Sequence, residues 1–433
     1  MRFKFILFRI GSIAFIFLNL STQIATAGGF AIAEQTARGV GRGNAITAGV
    51  EDPSAAYVNP AALVEVPGNQ LMSGLNYVNT QSRVENSGRT SKNFHDDDFL
   101  PNLFADYHIP HTNLTVGLGS YTPFGLATSY DPSSFTRFAA IDSELKTIYV
   151  TPSIAWQPSE IFSIGGGLSF VHSSAVLSRS LFLGAVGIGE GRLRITGTDN
   201  AFGYNIGLLV KPHDQVKIGF TYRSRVGLEF DHSNVKFTDA AIAGGLPTNT
   251  KASGINVPIP AVINSGIQWQ IFPNWQVEFD YNFTHWSEFK NLKARFNSPL
   301  PALGGAVLIP GFSLPQDWKD TSTFRVGTSY KATENLELRT GFSLDQTPIP
   351  DRTLSPAIPG ANILTLNGGI GYTWKRINLD LGYMAIFYQE RRVNNNVLET
   401  GNNPSALPFP GVPGPDKYTI FQNFVALNVS YRF

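Results

Sequence analysis

The sequence predicts an all-β fold: a transmembrane antiparallel β-barrel of about 14 strands, with an N-terminal hatch, or plug, inside its lumen. Three observations predict it. Segments of about ten residues alternate apolar and polar side chains along most of the chain and are separated by turn residues. Only 15% of residues are charged while 12% are aromatic, and no run of eighteen or more apolar residues follows the N-terminal segment, so no helix can span a membrane. The last seventeen residues, Lys417 to Phe433, put Phe421, Val425, Leu427, Val429, Tyr431 and Phe433 on one face of a strand. In lipid a sheet must close, because an open edge would leave backbone groups unpaired.

Residues 1–27 read as a secretory signal peptide. Arg2, Lys4 and Arg9 precede the apolar stretch Ile10 to Leu20, and Ala25-Thr26-Ala27 forms a small-x-small cleavage site. Removing this segment leaves 30 basic against 32 acidic residues, a net charge of −2. That near-neutral balance argues against a nucleic-acid partner. The chain has no Cys, which excludes disulfides and thiol chemistry.

Residues 28–69 lack the two-residue alternation and carry Gly39, Gly41, Gly43 and Gly49, a composition suited to tight packing inside another structure. They are expected to form the hatch, and residues 70–433 the barrel. Strands are expected near 70–79, 101–109, 113–121, 146–156, 162–178, 201–210, 216–230, 261–271, 275–284, 323–331, 336–344, 365–374, 377–388 and 420–433. Trp275 to Phe283 shows the pattern well: odd positions are aromatic or aliphatic, even positions polar or acidic. Tight turns such as Pro212-His213-Asp214 alternate with long connections near 80–100, 179–200, 231–260, 285–322 and 389–419. Apolar clusters in those connections, Leu181-Phe182-Leu183 and Leu300 to Leu314, are expected to cover a hydrophobic binding surface.

Three local arrangements bear on function. In Tyr121-Thr122-Pro123-Phe124-Gly125, Pro123 cannot donate to a ladder and Gly125 tolerates unusual dihedrals, so strand pairing is expected to break there. In Asn59-Pro60-Ala61, Pro60 restrains Asn59 to an extended conformation, and the Asn59 amide can cap neighbouring backbone groups. Parity places Arg179 and Lys319, both odd, opposite the outward Phe162, Ile164, Leu168, Phe170, Phe324 and Val326, so both are expected to face the lumen if no bulge intervenes.

Other constellations carry less. None of the seven histidines forms a His-Glu-x-x-His pattern. His95-Asp96-Asp97-Asp98 has the carboxylates a divalent cation needs, but a solvated acidic loop explains it more simply. Gly39-Val40-Gly41-Arg42-Gly43 follows no strand and so lacks the context of a phosphate loop. No serine motif stands out. No metal, no cofactor and no enzymatic activity are expected.

The ordered set Gly28-Gly29-Phe30, Asn59-Pro60-Ala61, Phe124 to Thr128, Thr221 to Ser224, Trp286-Ser287-Glu288-Phe289, Trp318-Lys319-Asp320 and Arg339-Thr340-Gly341 resembles the FadL-type outer-membrane transporters of long-chain fatty acids and other hydrophobic compounds. The terminal strand ending on Phe433 likewise resembles the signal read by the outer-membrane barrel assembly machinery. The resemblance implies a fourteen-stranded barrel in the bacterial outer membrane, with outer-membrane lipid around it. It implies capture of a long-chain fatty acid or similar hydrophobic molecule in a groove among the outer loops, then passage to a lumenal pocket. It also implies sideways exit at a kink in the third strand, here Phe124 and Gly125. It makes Arg179 and Lys319 a carboxylate-binding pair and Phe30 an apolar finger in the pocket, and has Asn59-Pro60-Ala61 brace the hatch against the kink. A carrier of neutral hydrocarbons, which needs no basic pair, and a structural or adhesive surface barrel are the alternatives.

Overall fold

The computed structural model describes residues 28–182, 190–239, 246–302, 307–395 and 415–433; the expected signal peptide lies outside them. Fourteen antiparallel strands form the wall: β1 (Gln70–Asn86), β2 (Asp97–His108), β3 (Leu114–Tyr121), β4 (Asp142–Ser159), β5 (Phe162–Phe182), β6 (Glu190–His213), β7 (Val216–Arg223), β8 (Val262–Phe272), β9 (Trp275–Thr284), β10 (Thr321–Lys331), β11 (Leu336–Asp345), β12 (Ile363–Trp374), β13 (Ile377–Tyr388) and β14 (Asp416–Arg432). Each pairs with the next in the chain, and β14 returns to β1 in register from Gln70↔Arg432 to Asn86↔Asp416. The terminal alternating segment therefore closes the sheet and abolishes its edges.

The two faces of the strands explain the alternation. On β5 the outward Ile164, Leu168 and Phe170 are exposed, while Ser163, Ser169 and Ser173 are buried inward. The short-turn rim carries an aromatic belt that includes Trp156, Trp269, Trp275, Tyr372 and Trp374, the residue types that settle at a bilayer interface. Among the described residues no helix is long and apolar enough to cross a membrane.

All fourteen expected strands appear in order, but several run further. β1 continues to Asn86, and β6 begins at Glu190. Beyond the lipid both faces meet protein or water, so the apolar-out signal fades although hydrogen bonding continues. The expected 216–230 strand stops at Arg223; Val226–Glu229 then leaves the wall to pair with Asn256–Ile259.

Residues 28–69 fill the lumen. A short helix, α1 (Ala37–Gly41), starts where the Thr36 hydroxyl accepts the Gly39 N–H at 3.2 Å. A second, α2 (Ala55–Val58), leads to a 3₁₀ turn, Pro60–Glu65, which Asn59 caps. The wall grips this segment through inward polar side chains. Glu278 accepts the N–H groups of Ala48 (2.6 Å) and Gly49 (3.2 Å) and pairs with Arg42 at 2.9 Å. Asp280 accepts those of Ile46 (3.0 Å) and Thr47 (2.9 Å). Asn428 accepts the Ala37 N–H, Asn367 donates to the Val40 carbonyl, and Asn205 to the Ala56 carbonyl. A segment with little regular structure of its own has its backbone groups satisfied by the barrel.

Asn59 shows why the turn sits where it does. Its amide donates to the carbonyls of Thr47 (2.9 Å) and Leu208 (3.2 Å), and its oxygen accepts the Ala61 N–H (3.1 Å). The wall beneath is glycine: a Cβ on Gly165 would lie 2.5 Å from the Pro60 carbonyl carbon, and one on Gly207 would collide with the Asn59 oxygen. Ser163 donates to the Ala61 carbonyl at 2.9 Å. Asn59-Pro60-Ala61 thus seats on β5 and β6, and not on the third-strand break as expected, where the facing glycines Gly165 and Gly207 leave room for the turn.

Candidate functional site

An apolar cavity lies on the long-loop side of the hatch. Phe30, Leu126, Leu145, Leu177, Phe289 and Phe312 are among the residues that line it. Of the loop clusters expected to cover a hydrophobic surface, Phe312 and Leu314 line this cavity and Leu181 packs against the surrounding core, whereas Leu183 lies outside the described residues.

Phe30 closes the inner end. Its ring meets Trp286 at 4.7 Å, Trp318 at 5.5 Å, Phe289 at 6.0 Å and Phe124 at 6.3 Å between centroids, mostly edge to face. All five rings are buried. Beneath this cluster lies a second, polar chamber bounded by Glu34, Asn264, Asn282, Thr323, Arg325 and Asp345. Burial raises the Glu34 carboxyl above its usual range, with Arg325 opposing the rise. The Phe30 cluster thus separates an oily compartment from a polar one.

The wall beside this cluster is broken. β3 pairs with β2 only as far as Leu103↔Ser120. On its other side the pairing with β4 runs to Tyr121↔Tyr149, lapses, and resumes at Gly125↔Lys146 for the segment Gly125–Ser129. Between Ser120 and Ser129 the described residues show no ladder to β2, until the Phe94 N–H reaches the Ser129 carbonyl at 2.8 Å. The hatch terminus fills the vacancy. Ala31 faces Phe124 across an isolated antiparallel bridge, with the Ile32 N–H donating to the Pro123 carbonyl and the Gly125 N–H to the Phe30 carbonyl, both at 2.8 Å.

The expected carboxylate pair is not brought together. Arg179 is buried, with its guanidinium 5.1 Å from the centre of the Phe312 ring, two residues along the same strand face from Leu177. Lys319 is exposed and absent from the cavity lining. Parity failed for Lys319 because it precedes β10 in an irregular segment: Asp317 takes φ 50°, and Trp318 turns into the Phe30 cluster, which sends its neighbour outward. Lys293 is the lysine at the cavity lining.

Several residues of the site carried no alternation signal. Trp286 and Trp318 are buried in connections where a soluble loop would not keep them, and their size was the available clue. Arg223 lies 4.2 Å over the Tyr57 ring and donates to the Tyr57 carbonyl at 2.8 Å. In the acidic loop His95 pairs with Asp98 at 2.9 Å, which raises the His95 pKa, while Asp97 accepts from Tyr77 and Asn79. Those carboxylates already have protein partners.

The profile of the outer membrane protein transport protein family (OMPP1/FadL/TodX) matches residues 18–433. The chain belongs to this family. Among its relatives, the long-chain fatty acid transport protein of Salmonella typhi is 23% identical, over 93% of this chain and 97% of that one. The 47 kDa outer membrane protein of Pasteurella multocida is 26% identical, over 94% and 95%. Among solved structures, a Pseudomonas aeruginosa FadL homologue superposes with a TM-score of 0.80 at 22% identity, covering 94% of this chain and all of that one. The toluene transporter TodX of P. putida gives 0.71 at 20% identity, covering 94% and 99%. These FadL-family structures share the barrel fold described above, and the chain is an outer-membrane β-barrel transport protein.

Proposed function

We propose that this protein takes up long-chain fatty acids or similar amphipathic anions, passing them from the outer loops into the apolar cavity and then sideways through the break in β3. The observation that supports the anionic substrate is Arg179, a buried guanidinium over the ring of Phe312, which lines the largely apolar cavity. An apolar chain fills the cavity, and a carboxylate meets the cation in a partly desolvated setting, where charge-assisted hydrogen bonds are strongest. Phe30 occupies the cavity's inner end, and its own carbonyl accepts the Gly125 N–H. A ligand that displaces Phe30 therefore also loosens the segment that fills the wall.

Lateral exit suits an apolar ligand because it never exposes the chain to water, at about 0.8 kcal/mol per methylene. Outer-membrane lipid then receives it directly.

Arg179→Ala is expected to weaken fatty-acid binding roughly tenfold to a hundredfold, since a hydrogen bond to a charged group contributes about 1.5–3 kcal/mol. Lys319→Ala serves as the comparison and should bind normally. Fluorescence titration with a labelled fatty acid measures both. If Arg179→Ala binds fatty acid as the wild type does while toluene competes equally in both proteins, the neutral-hydrocarbon reading replaces this one.

A further inference from the structure

We propose that Gln35 is the positioning residue that holds the wall opening closed, by standing in for the peptide group that the broken strand lacks. This rests on the reading that ligand leaves through that opening.

The break strands one residue above all. Thr122 lies beyond the last β3 pairs, Ser120↔Leu103 on one side and Tyr121↔Tyr149 on the other, and before the ladder resumes at Gly125. It is only 3% exposed, so its N–H and carbonyl need protein partners. Gln35, itself 2% exposed, supplies both. Its Oε1 accepts the Thr122 N–H at 3.1 Å, and its Nε2 donates to the Thr122 carbonyl at 2.9 Å. A primary amide carries a donor and an acceptor side by side, as a peptide does, so it can complete a ladder rung from a side chain.

The same Nε2 donates its other hydrogen to the Ile32 carbonyl at 2.9 Å. One amide therefore ties the strand break to the N-terminal arm, whose residues 30–32 form the bridge to Pro123 and Gly125. Gln35 is also fixed from behind. Asn76 of β1 donates to the carbonyls of Glu34 (2.9 Å) and Gln35 (3.3 Å), and Thr36 begins the helix clasped by the wall. It stands at the junction between an anchored hatch and the arm that covers the opening.

Hydrogen–deuterium exchange on the purified full-length protein tests this, with Gln35→Ala and Gln35→Glu compared with wild type. Gln35→Glu is the informative variant. It keeps the shape but removes both donors and sets a carboxylate oxygen against two carbonyls. Exchange in peptides covering 28–36 and 120–127 is expected to rise at least tenfold in both variants, with residues 37–66 and the strands unchanged. Wild-type exchange at 120–127 in Gln35→Glu overturns the proposal, as does a rise spread evenly through the hatch in both variants.

The exit reading has its own arm. Ala31 and Phe124 are a non-hydrogen-bonded pair, about 4.5 Å between Cα atoms, which suits a disulfide. In this Cys-free chain, Ala31→Cys with Phe124→Cys can be locked and released by redox alone. Uptake lost on oxidation and restored by reductant supports the exit. Uptake indifferent to oxidation defeats the exit reading and this proposal with it, whereas an exchange failure alone defeats only the role of Gln35.

Discussion

Glu278 grips the hatch through two backbone N–H groups and an ion pair, and neutralising it separates plug from barrel energetically. Its carboxylate has no exposure and holds Ala48 N–H, Gly49 N–H and the equally buried Arg42 guanidinium. Glu278→Gln keeps the shape and an acceptor for the two N–H groups, but leaves Arg42 as a buried charge without its counterion. Removing one member of such a pair costs about 3–5 kcal/mol. At about 1.4 kcal/mol per factor of ten, local opening of the hatch becomes roughly a hundredfold to several thousandfold more frequent. Hydrogen exchange in peptides spanning residues 42–50 should accelerate by that factor. The barrel should still shift on gels only after boiling, because β9 keeps its ladders to β8 and β10. Adding Arg42→Met removes the orphaned charge and should restore most of the protection, since replacing both members of a buried pair is often neutral. Wild-type exchange in Glu278→Gln, or a double variant no better than the single, refutes the reasoning.

Two further outcomes follow from geometry. Gly207→Ala drives a Cβ into the Asn59 oxygen and should break the Asn59 bond to Leu208, seen as faster exchange at residues 59–66 in a barrel that still assembles. Deleting Pro123 to Gly125, so that β3 continues its pairing with β2, should abolish uptake of a labelled fatty acid while binding at the outer loops survives; normal uptake by a correctly folded deletion variant would rule out the lateral exit.

The barrel was legible because lipid imposes one rule on every strand: the outward face is apolar, and the period is two. That rule gave all fourteen strands in order, and it placed Arg179 on β5, whose ladder to β6 runs in continuous register from Phe162 to Phe182. It stopped working where the rule stops. β6 begins at Glu190, outside the lipid, where nothing enforces an apolar face. Lys319 lies past a left-handed Asp317, so counting residues no longer tracks direction. The seat of Asn59-Pro60-Ala61 was set by Gly165 and Gly207, more than a hundred residues away, and the tripeptide alone carries no trace of them. Gln35 and Glu278 were silent for a related reason: a polar residue that grips backbone across the lumen looks, in sequence, like any other lumenal polar residue.

The way the hatch is held bears on which route a ligand takes. Clearing a straight path requires residues 36–66 to leave the wall. That breaks the Arg42–Glu278 pair, the Asp280 bonds to Ile46 and Thr47, and the Arg38–Glu337 pair at 2.7 Å, along with the amide contacts of Asn59, Asn205, Asn367 and Asn428. Clearing the side path requires only the arm at 28–35 to move. That gives up two bridge hydrogen bonds, the two between the Gln35 amide and Thr122, those that Asn76 and Asn44 donate to Glu34 and Gln35, and the contacts of Phe30. A net hydrogen bond contributes about 0.5–1.5 kcal/mol, and a fatty-acid chain entering the cavity replaces the Phe30 contacts with its own. The ligand can therefore offset the cost of moving the arm, whereas no apolar molecule can replace the ion pairs that hold the plug. The lateral exit proposed above therefore asks the substrate to replace only contacts that an apolar molecule can itself make.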